Sequence, residues 1–269
     1  MSKTITRPPF KCHGGKSYLK QFIIENLPSN YEEMVYVEPY AGAASVLLNK
    51  LPGPEEILND MSFGIFQIFK AIRDNASIFM KLLEESNYTA ETFEQALKRS
   101  KQTFDLPIEK AVNEYILRRM SRGGLKKSFA WSERLRGGQP GDVNAWKTSI
   151  EQIPDLSFRL KNVYIFNKPA IEVIKAFDRK DTLLYVDPPY MQSTRISKDS
   201  YEEFEMDTNA HKKLCDVLSC FRGKVVISGY DSELYQQYFS NWRKLERTVP
   251  NHSGQSKKKQ MRTEICWCN

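Results

Sequence analysis

Runs of β-branched, aliphatic and aromatic residues at Val35–Tyr40, Ile57–Asp60, Val163–Asn167, Leu183–Tyr190 and Val225–Tyr230 predict strands. Most segments between them carry apolar residues at helical spacing, and such alternation predicts a parallel α/β sheet. Two later runs, Trp242–Val249 and Thr263–Cys268, are joined by a polar loop and predict an antiparallel hairpin closing the sheet edge. Between about residues 62 and 160 the alternation stops. There Ile65, Phe66, Ile68 and Phe69, then Phe79, Leu82 and Leu83, then Val112, Tyr115, Ile116 and Leu117 are spaced as on helices. The expected organisation is a sheet domain of residues 1–61 and 161–269 with a mostly helical domain, residues 62–160, inserted into it.

The late part of that insertion changes the picture. Arg118, Arg119, Arg122, Lys126, Lys127, Arg134 and Arg136 face a single acid, Glu133, with Gly123, Gly124, Phe129 and Trp131 interleaved. Cations meet phosphates while aromatic rings and glycines permit close approach to bases, so the segment suits a nucleic-acid surface. A solvated basic turn between helices is the plainer alternative. Lys and Arg outnumber Asp and Glu by 40 to 33, a net charge of +7, which favours a polyanionic partner. The five cysteines, Cys12, Cys215, Cys220, Cys266 and Cys268, contain no Cys-x-x-Cys pair, so neither a disulfide framework nor a zinc site is expected. With 41% hydrophobic residues, no apolar run long enough to span a membrane and no secretory leader, a cytoplasmic protein is expected.

The chemistry concentrates at Asp187-Pro188-Pro189-Tyr190, which ends the apolar run Leu183-Leu184-Tyr185-Val186. Open α/β sheets place ligands at the carboxyl ends of their strands. An exocyclic amine on a base is a poor nucleophile because its lone pair is delocalised into the ring. The Asp187 carboxylate and the Pro188 carbonyl supply acceptors that draw its hydrogens away. Consecutive prolines stiffen the turn, and Tyr190 offers a ring to a base flipped from the duplex. The alternative is an ordinary Pro-rich turn after a strand.

Three weaker features accompany it. Val35–Glu38 leads through Pro39 into Tyr40-Ala41-Gly42-Ala43-Ala44-Ser45, small residues that let a ligand approach the backbone before an expected helix. Asp60 ends the next strand, where it either accepts hydrogen bonds from ribose hydroxyls or caps the helix that follows. Gly14-Gly15-Lys16 forms a turn with a cation ahead of a helix, and Lys16 can pair with a carboxylate. His13, His211 and His252 show no nucleophile partner. The loop holding Lys257, Lys258 and Lys259 either contacts phosphates or is simply solvated.

The order Gly-Gly-Lys, Glu-Pro-Tyr-Ala-Gly-Ala, Asn-Asp, helical insertion, Asp-Pro-Pro-Tyr resembles the Dam-type (class alpha) DNA adenine-N6 methyltransferases over nearly the whole chain. The Arg-Gly-Gly segment looks like that of phage or prophage-type relatives. The resemblance implies a Rossmann-like α/β methyltransferase sheet, with the insertion as target-recognition domain. It also implies S-adenosylmethionine as cofactor and double-stranded DNA as partner, with no metal; a monomer is the expectation. By position it implicates Cys12, Lys16, Tyr40, Gly42, Asp60 and Asp187 in cofactor binding, and Asp187, Pro188 and Tyr190 at the target base. Cys12 stands where relatives often carry an aromatic residue, and Ala44 stands where they carry glycine. The implied reaction is direct in-line displacement by the adenine amine. Cytosine N4, RNA adenine or a glutamine amide as target, a non-catalytic nucleic-acid module and a dehydrogenase stay open as alternatives, the last weakened by the missing Gly-x-Gly-x-x-Gly and by the basic insertion.

Overall fold

A computed structural model describes residues 7–132, 134–136, 138–195, 204–250 and 261–269. Seven strands form one mostly parallel sheet: β1 (Val35–Glu38), β2 (Glu56–Asn59), β5 (Val163–Phe166), β6 (Thr182–Val186), β7 (Lys224–Gly229), β8 (Arg243–Pro250) and β9 (Met261–Cys268), in the order β5-β2-β1-β6-β7-β9-β8. The predicted strands are all present. Contacts divide the chain into two compact units, one of Met1–Ile24, Gly42–Leu51 and Asp60–Asn167, the other of Glu25–Ala41, Pro52–Asn59 and Lys168–Asn269.

In the second unit β1, β2 and β6 are buried along their whole length, which accounts for their mostly apolar interiors, with the polar residues Glu38, Glu56, Asn59 and Thr182 at their ends. β1 runs parallel to β2 and β6, and β6 parallel to β7, with Val37 opposite Leu184 and Leu184 opposite Val225. β9 then pairs antiparallel with both β7 and β8, forming the expected hairpin. Its inner residues read as buried, whereas β8 is largely exposed. Trp267 is 1% exposed, with its ring 5.2 Å from Tyr235 and 6.2 Å from Phe239. Two helices here start on side-chain caps: Asp207 accepts from the Ala210 N–H at α9 (Thr208–Ser219), and Ser232 accepts from Tyr235 N–H at α10 (Glu233–Tyr238).

The first unit holds α2 (Phe63–Asp74), α3 (Ala76–Glu84), α4 (Ala90–Arg99), α5 (Pro107–Met120), α6 (Gly141–Glu151) and α7 (Ile153–Leu160). The segment expected to be helical over 62–160 lies within it, together with residues 1–24 and 42–51. Pro107 opens α5 at a position where its missing N–H costs nothing. Tyr115 of α5 anchors the interior: its ring meets Phe79 edge-on at 5.4 Å and Trp146 at 5.8 Å, and its hydroxyl donates to the Ser149 carbonyl. One departure from a helical insertion is a short antiparallel pair, β3 (Leu135–Arg136) with β4 (Gln139–Pro140). Outside the insertion, the stretch after Gly42 also differs from the helix expected there. Gly42 and Ala44 take φ values of 49° and 52°, so the chain turns instead, and helix-like bonds resume only with Leu48 N–H to Ala44.

Candidate active site

In the second unit the parallel pairing sets the ends of β1, β6 and β7 along one carboxyl edge of the sheet. The residues that follow these strands are Tyr40, Asp187 and Tyr230. Asp187 is half-buried, Pro188 and Tyr190 are buried. Ser228, the penultimate residue of β7, donates its hydroxyl to Asp187 Oδ1 at 2.7 Å and so holds that oxygen. Tyr190 donates to Glu264 Oε2 at 2.9 Å, and Glu264 is itself 2% exposed. The Tyr190 ring meets Tyr230 edge-on with centroids 4.7 Å apart. Arg262 Nη1 donates to the Tyr230 hydroxyl at 3.0 Å and lies over that ring. Burial pushes the Tyr40 hydroxyl well above the usual phenol range, so it stays neutral.

Behind the tetrapeptide, His211 of α9 is fully buried, with Nδ1 3.0 Å from the Tyr235 hydroxyl. Burial and the Arg195 charge lower its pKa to about 4, against the Pro189 carbonyl, which favours the protonated ring. The imidazole is therefore neutral at physiological pH and serves as packing and hydrogen-bonding support rather than as a base.

In the first unit Asp60 receives two backbone N–H groups: Gly42 to Oδ2 at 2.8 Å and Ser62 to Oδ1 at 2.9 Å. Asp60 thus holds the turn just before α2, whose N-cap is Ser62, and its carboxylate is half-buried. Burial raises its pKa, while the two N–H groups and the Arg118 charge oppose that rise. A Cβ on Gly42 would lie 3.4 Å from Cys12 Sγ, so the loop and Cys12 approach closely. Lys16 is buried and donates to the Gly14 carbonyl at 2.7 Å.

The basic segment separates into two sets. Arg118 is 7% exposed and donates from Nε to Glu114 Oε1 at 2.7 Å; the same oxygen takes Lys126 Nζ at 3.2 Å. Arg119 donates to the Ala145 carbonyl at 2.6 Å. Helix α5 thus turns Arg118 inward onto a buried carboxylate, while Arg119 and Lys126 stay partly exposed. Arg122, Lys127 and Arg134 are exposed, and Trp131 stacks on Phe129 at 6.3 Å while staying half exposed. Only the backbone of Arg136 is described, in β3. Lys257 and Lys258 lie outside the described residues. Sequence reasoning missed Ser228, Glu264 and the Glu114–Arg118 pair. The only sign of Glu264 was an acid at the start of an apolar run.

The model of the D12 class N6 adenine-specific DNA methyltransferases matches residues 13–252, and the chain belongs to that family. Comparison with curated proteins gave no match. Its activity is site-specific methylation of adenine N6 in DNA, which selects among the targets left open by the tetrapeptide alone. DNA is the substrate and a methyl donor is required. No helix among the described residues is long and apolar enough to cross a membrane.

Proposed function

We propose that the methyl donor is S-adenosylmethionine, that Cys12, Lys16, Gly42 and Asp60 bind it, and that Asp187, Pro188 and Tyr190 hold the target adenine. The observation that carries this reading is the Asp60 carboxylate, aligned by the Gly42 and Ser62 N–H groups beside a loop of small residues. This donor set fits an adenosyl group. A carboxylate whose oxygens each keep further lone pairs accepts vicinal hydroxyls, and a glycine at φ 49° brings backbone close to a ligand. Lys16 offers a cation to the carboxylate of an amino acid moiety.

When bound, S-adenosylmethionine supplies an electrophilic sulfonium methyl. The chain's own residues do the rest. Asp187, with Oδ1 held by Ser228, accepts a hydrogen bond from one amine hydrogen, and the Pro188 carbonyl accepts one from the other. The nitrogen lone pair is thereby drawn out of conjugation, and the charge that develops on the amine is stabilised. Tyr190, held by Glu264, contributes a fixed ring edge or face to the base. Neutral His211 takes no part in proton abstraction.

We assign target recognition to residues 62–160, with Arg122, Lys127, Arg134 and Arg136 contacting phosphates alongside Lys257 and Lys258. The test is transfer of labelled methyl from S-adenosylmethionine to unmethylated DNA, followed by nucleoside analysis. The expected outcome is label in N6-methyladenine and loss of at least about a thousandfold in turnover for Asp187→Ala, which removes a transition-state acceptor. Near wild-type turnover in that variant would refute the assignment.

A further inference from the structure

Arg118 was expected at the DNA surface, and its surroundings assign it elsewhere. Its guanidinium is bonded to Glu114 at 2.7 Å, approaches Ser62 Oγ at 3.5 Å, and lies 5.8 Å from the Phe10 ring centroid. Ser62 is the residue whose N–H holds Asp60 Oδ1. Glu114 packs against the first turn of α2 so tightly that a Cβ on Gly64 would lie 2.4 Å from its Cδ. One buried ion pair on α5 therefore braces the Asp60–Ser62 turn from behind. Its charge also acts on Asp60 and Cys12, both in the proposed donor-binding set. At 7% exposure the guanidinium shows little of its surface to solvent, so its remaining N–H groups meet a phosphate only if the packing around it opens.

We infer that Arg118 is a positioning residue for methyl-donor binding, setting the Asp60 carboxylate through Glu114 and Ser62, and makes no phosphate contact. The inference rests on the reading of Asp60 as a donor ligand. A planar guanidinium with several fixed donors can reach both Glu114 and Ser62; a lysine offers a single point charge and replaces it only partly.

The test uses the full chain and two ligands, S-adenosylhomocysteine by calorimetry and an unmethylated DNA duplex titrated at several salt concentrations. The variants are Arg118→Met, Arg118→Lys and the double change Arg118→Met with Glu114→Met. The double change removes the pair as a unit, whereas the single change leaves the buried Glu114 with Lys126 as its remaining cation. Expected are a roughly tenfold weaker affinity for S-adenosylhomocysteine in both methionine variants and partial recovery with lysine, as for loss of one charge-assisted contact. The slope of log DNA affinity against log salt should stay as in the wild type. A slope smaller by about one unit would make Arg118 a phosphate contact and overturn the inference. Wild-type affinity for S-adenosylhomocysteine in the double variant would overturn it too, leaving only a structural ion pair. If the wild-type chain itself failed to bind S-adenosylhomocysteine, the donor-site reading would fall first and this inference with it.

Discussion

In each unit single candidate residues are held by partners that leave them little freedom. Ser228 orients Asp187 through a short bond to a charged oxygen, an interaction type worth about 1.5–3 kcal/mol. Ser228→Ala should therefore lower kcat by about ten- to a hundredfold while leaving DNA affinity unchanged, as rapid-quench and equilibrium binding would register. Glycines 123 and 124 give a paired contrast. Both have positive φ, 61° and 74°, but a Cβ on Gly123 meets nothing within 4 Å, whereas on Gly124 it would lie 2.1 Å from the Lys11 carbonyl oxygen. Gly123→Ala should cost about 1–2 kcal/mol from backbone conformation alone. Gly124→Ala should cost about 1–3 kcal/mol more, from overpacking against backbone. Urea midpoints of the two variants would separate them. The motif residues were legible because their chemistry is local: Asp187-Pro188-Pro189-Tyr190 carries acceptors, rigidity and a ring within one turn. Their partners were not, since Ser228 is 41 residues from Asp187 and Glu264 is 74 residues from Tyr190.

Among the elements, the hairpin of β8 and β9 matters most to the second unit. β9 contributes Trp267 to the aromatic cluster with Tyr235 and Phe239, and Glu264 to the tetrapeptide. Trp267→Ala should destabilise by about 3–5 kcal/mol, measured as a lowered denaturant midpoint. Helix α5 does comparable work in the first unit. One side carries Tyr115 into the helical core, and another carries Glu114 and, one turn on, Arg118 to the start of α2. Strand and helix periods were readable because burial repeats along each element. The turn at Gly42–Ala44 was not. Its departure from a helix depends on backbone angles that Ala44 adopts only under tertiary constraint.

For the whole molecule, the buried His211 links stability to pH. Its folded pKa of about 4 lies below the ordinary 6.5. Between these values the unfolded chain binds a proton that the folded ring refuses. Stability from this group is thus complete above pH about 6.5 and is lost as pH falls toward about 4, by about 3 kcal/mol in total. Unfolding measured at pH 7 and pH 4.5 should show a steeper loss in the wild type than in His211→Gln. An identical loss in both would contradict the buried, neutral assignment. The net charge of +7 belongs to this scale as well, since it favours association with polyanionic DNA before any particular contact forms.

The sequence by itself determined the strands, the hairpin, the helical segment and the residues able to handle an amine, because each depends on short-range period or on chemistry within a few neighbours. Only the tertiary structure decided which cations of the Arg118–Arg136 segment face outward. A run of positive charge reads the same whether a side chain meets solvent or a buried Glu114. It likewise decided what holds Asp187, Tyr190 and Asp60 in place, because those bonds join residues that the fold alone makes neighbours.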